Sequence, residues 1–363
     1  MKNTFGNNVT VTLFGESHGE AIGAVLDGLP SGIKIDREYI ADCLSKRRPY
    51  GDISTARAEK DEFKILSGVN GDLTTGTPIC IIIENENVKS GDYENIKLTP
   101  RPSHADFTAF CKYGSVGVLP GGGHFSGRLT APLVAAGAIA LSVLKAKGVL
   151  IGTHIKSIAD VKDRDFADIN KDIERLSDLK FAVLDQARAE KMTDVIRAAK
   201  AEGDSVGGVL ETAVTGLPAG VGEPWFDSLE GVLSHALFSI PGVKGIEFGA
   251  GFSITEKRGS EANDEFCIKN GKPSTLTNNS GGISGGISNG EPILFQLAVK
   301  PTPTIFKEQK TVDLTSGTET TIKPQGRHDP CIVHRARIVA DSVTALAILD
   351  MLSAKYGVEG LRE

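Results

Sequence analysis

The sequence predicts an α+β fold, and three observations carry that reading. Short β-branched runs recur from one end of the chain to the other, and helix-forming stretches with recognisable caps lie between them. The two follow no regular βαβ rhythm of the kind that builds a doubly wound parallel sheet. Hydrophobic residues make up 40% and charged residues 24% of the 363, an ordinary globular balance that excludes disorder, coiled coil and collagen. At this length the prior is one large domain or two ordinary ones.

Val9, Val11 and Leu13 alternate with Thr10, Thr12 and Phe14, which predicts a strand ending in the loop GESHG at 15–19, and a second strand follows at 22–27. Asp36 is placed to cap a helix that carries Ile40, Cys43 and Leu44 on one face and reaches Lys46, Arg47 and Arg48 before Pro49 stops it. Strands are predicted at 63–69 and 78–84, joined by a turn rich in Gly and Thr. The prolines of RPSHAD, 101–106, argue against helix and central strand and predict a fixed loop. Beyond GGGH at 121–124, Ser126 is placed to cap a helix running to about Lys147. The small residues of VAAGAIA at 134–140 predict that this helix packs closely against a neighbour. A strand at 149–156 and helices at 163–176 and 185–202 come next, the second helix ended by Gly203. Residues 258–290 turn to Gly, Asn, Ser and charge, which predicts a long flexible loop. A strand at 292–299, a polar hairpin near 305–323, the GRHDPC loop at 326–331 and a helix at about 338–353 complete the chain. GLPAGV at 216–221 echoes GLPSGI at 28–33, each after a strand-like run; internal duplication and coincidence of turn chemistry both account for it.

The net charge of -6 works against nucleic acid, and the basic residues form no long stripe that could bind a duplex. An anionic ligand therefore needs local positive charge, and short basic groups occur at Lys46 to Arg48, at Arg327 and at Arg335 with Arg337. Five cysteines, Cys43, Cys80, Cys111, Cys267 and Cys331, form no CxxC pair, which points away from a zinc or other metal site and towards a reducing cytoplasm. The N-terminus lacks the apolar stretch of a signal peptide and no run of about 18 apolar residues is evident, so neither secretion nor a membrane span is expected.

Four loops, GESHG, RPSHAD, GGGHFSGR and GRHDPC, carry titratable groups that a turn does not require, and function concentrates in loops of that kind. Each also has a plainer account. Ser17 and His18 can bond the local backbone, the cations at 46–48 suit a helix C-terminus on dipole grounds, and Arg327, His328 and Asp329 can pair within a turn. GGGHFSGR has the form of an anion cradle, with glycines that admit close backbone approach and free amides at a helix start. Arg128 in that first turn opposes the helix dipole unless an anion lies nearby.

Taken in order, these loops resemble the signature segments of the chorismate synthases along nearly the whole chain. The matching segments are FGESHG at 14–19, RRP at 47–49, KILSGV at 64–69, RPSHAD at 101–106, EGDSVGG at 202–208, VKGIEFG at 243–249, GGISGGIS at 281–288, KPTPT at 300–304 and GRHDPC at 326–331. The resemblance implies a single domain over 1–363, a β-α-β sandwich with mainly antiparallel sheets, and a homotetramer. It implies a cytoplasmic lyase that eliminates phosphate from the small-molecule substrate 5-enolpyruvylshikimate 3-phosphate to give chorismate. Reduced FMN is the implied cofactor, with NADPH only an indirect source of reducing equivalents. Whether the chain reduces its own flavin or draws on a separate flavin reductase stays open.

Carried over by motif, the resemblance implies that His18, with Ser17 beside it, protonates the departing phosphate. His104 manages the charge of the reduced flavin, and Asp329 receives a proton near it. Arg47, Arg48, Arg128 and Arg335 are the implied ligands of the substrate's carboxylates and phosphate. Flavin contacts fall on His124, Phe125 and Ser126, on Pro241 and Gly242, on Gly285, on Lys300, Pro301, Thr302, Pro303 and Thr304, and on Arg327. The chain departs from the family where His124 replaces an arginine, Phe125 a small residue, Leu129 a glutamate and Ile338 a proline, and where no arginine stands at 52 or 53. Rival readings are a flavoprotein that exchanges hydride with a nicotinamide, which no dinucleotide fingerprint supports, and a phosphoanion-binding scaffold, which has no use for two loop histidines and an aspartate.

Overall fold

The computed structural model describes residues 2–55, 59–86, 99–117, 119–324 and 328–362. The first half of the chain builds one sheet. It runs β1 (Thr4–Phe5), β2 (Thr10–Gly15), β3 (Ala21–Asp27), α1 (Arg37–Arg47), β4 (Phe63–Ile65), the ribbon of β5 (Val69–Asn70) and β6 (Leu73–Thr74), and β7 (Ile79–Glu84). The sheet order is β1-β2-β3-β7-β4. α2 (Asp106–Tyr113), the tight turns Pro120–Phe125 and Gly127–Leu129, and α3 (Thr130–Ala146) lead into the second half.

There β8 (Leu150–Ile158), β9 (Val161–Lys162), α4 (Ile169–Ser177), α5 (Gln186–Ala201), β10 (Gly208–Thr215), α6 (Leu229–Leu237), β11 (Val243–Phe248) and α7 (Gly259–Ala262) follow. Hairpins of β12 (Phe266–Lys269) with β13 (Lys272–Thr275) and β14 (Ile283–Ser284) with β15 (Ile287–Ser288) precede β16 (Ile293–Val299). A last hairpin, β17 (Gln309–Asp313) with β18 (Thr318–Ile322), and α8 (Val333–Tyr356) close the chain. The second sheet has the order β11-β16-β10-β8-β9, and all described pairings in both sheets are antiparallel.

α3 packs on β3 and β7, α8 packs on β8 and β10, and the two helices pack on each other, so the layers run sheet, helix pair, sheet. Strand alternation supplies the inner faces: Ile79, Ile81 and Ile83 on β7, and Ile293, Phe295, Leu297 and Val299 on β16, are buried. Each fully buried side chain of this size contributes about 1.5–3 kcal/mol. The small-residue stretch of α3 does pack closely. A Cβ added at Gly137 would lie 2.3 Å from the Ser342 Cβ and 2.7 Å from its Cα on α8. By length and composition the stretch Gly127–Ala146 could cross a membrane, with mean hydropathy 1.8, which corrects the expectation that no such run exists. Its window is 78% buried inside the molecule, as the core helix of this sandwich.

Several element boundaries differ from expectation for identifiable reasons. The strand expected at 63–69 ends at Ile65, because Gly68 turns with φ +83 against the Ile79 backbone and a separate ribbon begins. The helix expected from 163 starts at 169, capped by Asp168, because the Asp163 carboxylate is taken by the Leu184 and Asp185 amides and by His154. Residues 258–290 are not one loop: α7 and two hairpins occupy them. The loop RPSHAD is followed at once by a helix the sequence did not announce, α2, whose N-cap Ala105 offers no side-chain bond. The echoed segments follow β3 and β10, the central strands of their sheets. At Gly28 an added Cβ would meet the Asn8 carbonyl at 1.9 Å, and at Gly216 the Gly148 carbonyl at 2.0 Å. Those carbonyls stand at matching places before β2 and β8.

Candidate active site

Three consecutive glycines fix the centre of the site. Gly121, Gly122 and Gly123 have φ of +63, +87 and +50, a left-handed run that side chains would make strained. The turn they form lies under the GESHG loop: the Ser17 amide donates to the Gly123 carbonyl at 3.2 Å, and the Ser17 hydroxyl lies 3.4 Å from the Gly121 carbonyl and 3.0 Å from His18 Nδ1. The His18 ring sits on Gly121, where a Cβ would come within 2.0 Å of His18 Cε1. The His104 ring sits over Gly122, at 3.3 Å by the same measure. Two imidazoles distant in sequence are thus brought onto neighbouring glycines. His124 donates from Nδ1 to the Gly15 carbonyl at 3.0 Å, and Phe125 is 41% exposed with its ring 6.2 Å from Tyr113. Ser126 caps the next turn by accepting the Arg128 amide at 3.3 Å.

His104 belongs to a three-residue network. Its Nδ1 lies 2.7 Å from Asp106 Oδ1, and Arg101 reaches both oxygens of Asp106, from Nε and Nη2, at 2.8 Å each. Burial works against ionisation of Asp106, yet the bonds from Arg101 and then His104 prevail and hold its carboxyl well below the usual carboxylate range. Lys300 Nζ donates to the Ser103 carbonyl at 2.6 Å, and the Lys300 amide to the Gly242 carbonyl at 2.9 Å, so the KPTPT segment and Pro241–Gly242 meet the RPSHAD loop. Lys300 is held below the ordinary lysine range by burial and then by the neighbouring Lys244 ammonium. Thr302 has a buried hydroxyl with no partner, and Thr304 Oγ1 lies 3.5 Å from Arg101 Nη1. Gly285 lies in the turn between β14 and β15, and its neighbour Gly286 accepts from Leu229 at 2.8 Å; no described hydrogen bond ties this turn to the histidines. Arg327 lies outside the described residues.

The arginines gather about the turn that follows the glycines, Gly127–Leu129. Arg47 gives Nε to Thr130 Oγ1 at 2.8 Å, Nη1 to Asp61 at 3.2 Å and Nη2 to the Gly127 carbonyl at 2.9 Å. Arg128 pairs with Asp61, lies 3.5 Å from Glu59, and gives Nε to Asn85 Oδ1 at 3.1 Å. Asn85 in turn donates to the Glu16 and Gly19 carbonyls, both at 2.9 Å, and so ties Arg128 to the His18 loop. Arg335 pairs with Asp329 and donates to the Arg47 carbonyl at 2.9 Å, while Asp329 accepts the Thr55 amide at 2.9 Å. Arg48 keeps a buried Nε without a partner. Arg47 is brought down to about 9, chiefly by burial; Asp61 opposes the shift, and Arg335 and Arg128 add to it. Sequence reasoning missed Arg101, Asp106, Asp61, Glu59, Asn85 and Thr130 as parts of this site. Only Arg101 and Asp106 carried a signal, as the ends of the RPSHAD motif.

A β-α-β sandwich with two imidazoles on a glycine turn, flanked by buried arginines that crowd one another, defines an enzyme that handles a small polyanion. The chain belongs to the chorismate synthase family: the family model described as chorismate synthase matches residues 9–353. Named chorismate synthases of Pyrococcus abyssi, 46% identical over 96% of both chains, and of Methanobrevibacter smithii, 45% identical over 98% of both, are similar along their full length. A crystal structure of a chorismate synthase superposes with a TM-score of 0.76 at 27% identity, covering 98% of this chain and 96% of that one.

Proposed function

We infer that this chain eliminates phosphate from 5-enolpyruvylshikimate 3-phosphate to give chorismate, a carbon–oxygen lyase reaction at the last common step of the shikimate pathway. The observation that carries the reading is the seating of His18 and His104 on adjacent glycines beside the Arg128, Arg47 and Arg335 group. The substrate loses phosphate from one carbon and a hydrogen from another, and a ring double bond forms between them. His18 gives the proton that the departing phosphate needs. Ser17 Oγ, turned towards the Gly121 carbonyl, accepts from His18 Nδ1 and leaves Nε2 to deliver it. Arg48, with its unused Nε, together with Arg128 and Arg335 holds the substrate's anionic groups; Arg47, whose three nitrogens all have protein partners, fixes that cluster in place.

The residues of the second flank fit reduced FMN. The buried Thr302 hydroxyl has no partner, and Lys300, two residues before it, is held low by burial and then by the Lys244 ammonium; together they are a donor set for a phosphate-bearing ligand. Lys300 to Thr304, Pro241, Gly242 and the 124–126 turn would hold it, with Gly285 and Arg327 as further contacts. When bound, it supplies transient electron density to a reaction that is redox-neutral overall. His104 balances charge beside it, and Asp329 takes up the proton removed from the substrate. NADPH serves only as an indirect source of reducing equivalents, with a separate flavin reductase as a candidate partner. A homotetramer is supported by large apolar side chains left exposed, Trp225 and Phe226 before α6, Phe252 after β11 and Phe266 on β12, at 81–95%. The cytoplasmic placement is supported by five cysteines that are all free.

Incubation of the purified protein with substrate under anaerobic conditions, with phosphate release followed, tests the reading. Catalytic reduced FMN should give many turnovers and oxidised FMN none; product formed with no flavin removes the cofactor assignment. His18→Ala and His104→Ala should each fold and lose about 10² to 10⁴ in rate.

A further inference from the structure

We propose that Asp106 is a positioning residue that acts through His104, holding the proton on Nδ1 so that Nε2 is the atom that gains and loses a proton in the cleft. The proposal rests on the reading of His104 as the imidazole that balances charge beside the cofactor. An ionised carboxylate can only accept, so at 2.7 Å from Asp106 Oδ1 the Nδ1 of His104 must donate. Arg101 secures the ionised state with two bonds to the same carboxylate. Its Nη2 also lies 3.1 Å from Nδ1, but an imidazole nitrogen that donates to Asp106 has no lone pair for it. The Asp106 carboxylate is itself immobilised, since its Oδ2 accepts the Arg101 amide at 3.1 Å. What remains is the Cε1–Nε2 edge, which faces Gly122, where a side chain would meet it.

Among the described residues, no charged side chain bonds to that edge. The glycine turn beneath it is uncharged and carries the titratable His18 on the next residue. From the C-terminal segment, Lys300 ends on the Ser103 carbonyl and Thr304 on Arg101. A catalytic imidazole backed by a buried carboxylate is a recurring way of fixing tautomer and ring orientation.

Solid-state ¹⁵N NMR on the full-length protein labelled in histidine, with His104 assigned by its loss in His104→Gln, reads the tautomer without cofactor or turnover. Neutral His104 protonated on Nδ1 supports the proposal, and protonation on Nε2 overturns it, whether or not the Asp106 variants fold. Asp106→Asn, whose amide can donate to Nδ1, should lower kcat on the order of 10² to 10⁴ with KM changed less than about threefold. Asp106→Glu should keep the Nδ1 proton and recover at least about tenfold of that loss. Equal losses in the Asn and Glu variants with an unchanged tautomer would reduce Asp106 to the partner of Arg101. Full activity in His104→Gln would instead sink the underlying role of His104 and leave the tautomer result standing.

Discussion

Asp61 is the residue on which the arginine cluster turns, and Asp61→Asn tests this directly. The Asp61 side chain has 0% exposure, and it pairs with Arg47 and Arg128, whose side chains are 6% and 5% exposed. Its backbone is left-handed, φ 53, a conformation asparagine tolerates as well as aspartate, so the substitution removes charge without adding backbone strain. With the carboxylate gone, Glu59 at 3.5 Å from Arg128 is the remaining described acid, and Arg47 keeps only the Thr130 hydroxyl and backbone carbonyls. Removing one member of a buried pair costs about 3–5 kcal/mol, and the amide oxygen returns about 1 kcal/mol as a neutral acceptor. The expected loss is therefore about 3 kcal/mol. Urea denaturation followed by circular dichroism, with the slope compared to wild type, measures it. The folded variant should also show a raised KM, since Arg128 loses its main anchor. A loss below about 1 kcal/mol would mean that the pair is worth no more than an exposed one, and the cluster would need another account.

Four more outcomes are expected. Gly121→Ala places a methyl 2.0 Å from His18 Cε1 at a left-handed position, so turnover should fall about a hundredfold or more while the fold persists; wild-type rates would show that His18 need not sit there. Gly137→Ala drives a Cβ into the Ser342 backbone and should destabilise by about 1–3 kcal/mol without changing KM, measured by denaturation; a neutral result would mean that α3 and α8 have slack. Asp329→Asn keeps an acceptor for the Thr55 amide and should slow single turnover at least about a hundredfold at unchanged FMN affinity; an unchanged rate leaves Asp329 as the partner of Arg335. His154 is raised despite burial by its bonds to Asp163 and Glu211, and both carboxyls are lowered by His154 against their own burial. The stability it contributes is complete below the unfolded histidine value of about 6.5 and is lost as pH rises through the higher folded value; that of the carboxylates is lost as pH falls below about 4. Thermal unfolding from pH 6 to 9 should decline more steeply in wild type than in His154→Gln, and parallel curves would refute the coupling.

What was legible in the sequence was what local chemistry writes there. Asp36 caps its helix by accepting from Tyr39, as the sequence suggested, and the prolines of RPSHAD keep 101–105 out of regular structure. α6 was missed although Ser228 caps it through the Gly231 amide, a signal that was present and unused. Residues 258–290 were read as loop because they lack core-forming residues; hairpins need only main-chain pairing, and β12 and β13 leave Phe266 and Ile268 exposed. In the site, the histidines stood out because a glycine or proline loop has no packing need for imidazole. Asp61 did not. It lies in the charged run EKDEFK, which reads as a solvated face, and its burial is decided by α1 and the turn before α3, far away in sequence. Asn85 is hidden for the same reason, because its bonds to Glu16, Gly19 and Arg128 exist only once β7 lies beside β3.

The contrast explains how the site can be rigid before any ligand arrives. Arg47, Arg128 and Arg335 would repel one another if they waited for a polyanion to bring them together; the lowering of Arg47 comes chiefly from burial, and Arg335 and Arg128 add to it. Asp61 and Asp329 resolve that repulsion in the folded chain, and the Arg47 carbonyl and Asn85 fix the directions in which the guanidiniums lie. The free energy of gathering like charges is thereby charged to folding, not to binding, which is the condition for electrostatic stabilisation that needs no reorganisation when the reaction occurs. It also follows that the acids must compensate only in part. A fully neutralised cluster would have nothing left to offer an anion, and the unpartnered Nε of Arg48 together with Lys300, held low by burial and then by the Lys244 ammonium, marks where capacity is left over. One of these places belongs to the arginine segment, and the other is tied to the loop of His104 by the Lys300 bond to the Ser103 carbonyl, so spare positive capacity is distributed over two segments instead of being concentrated in one.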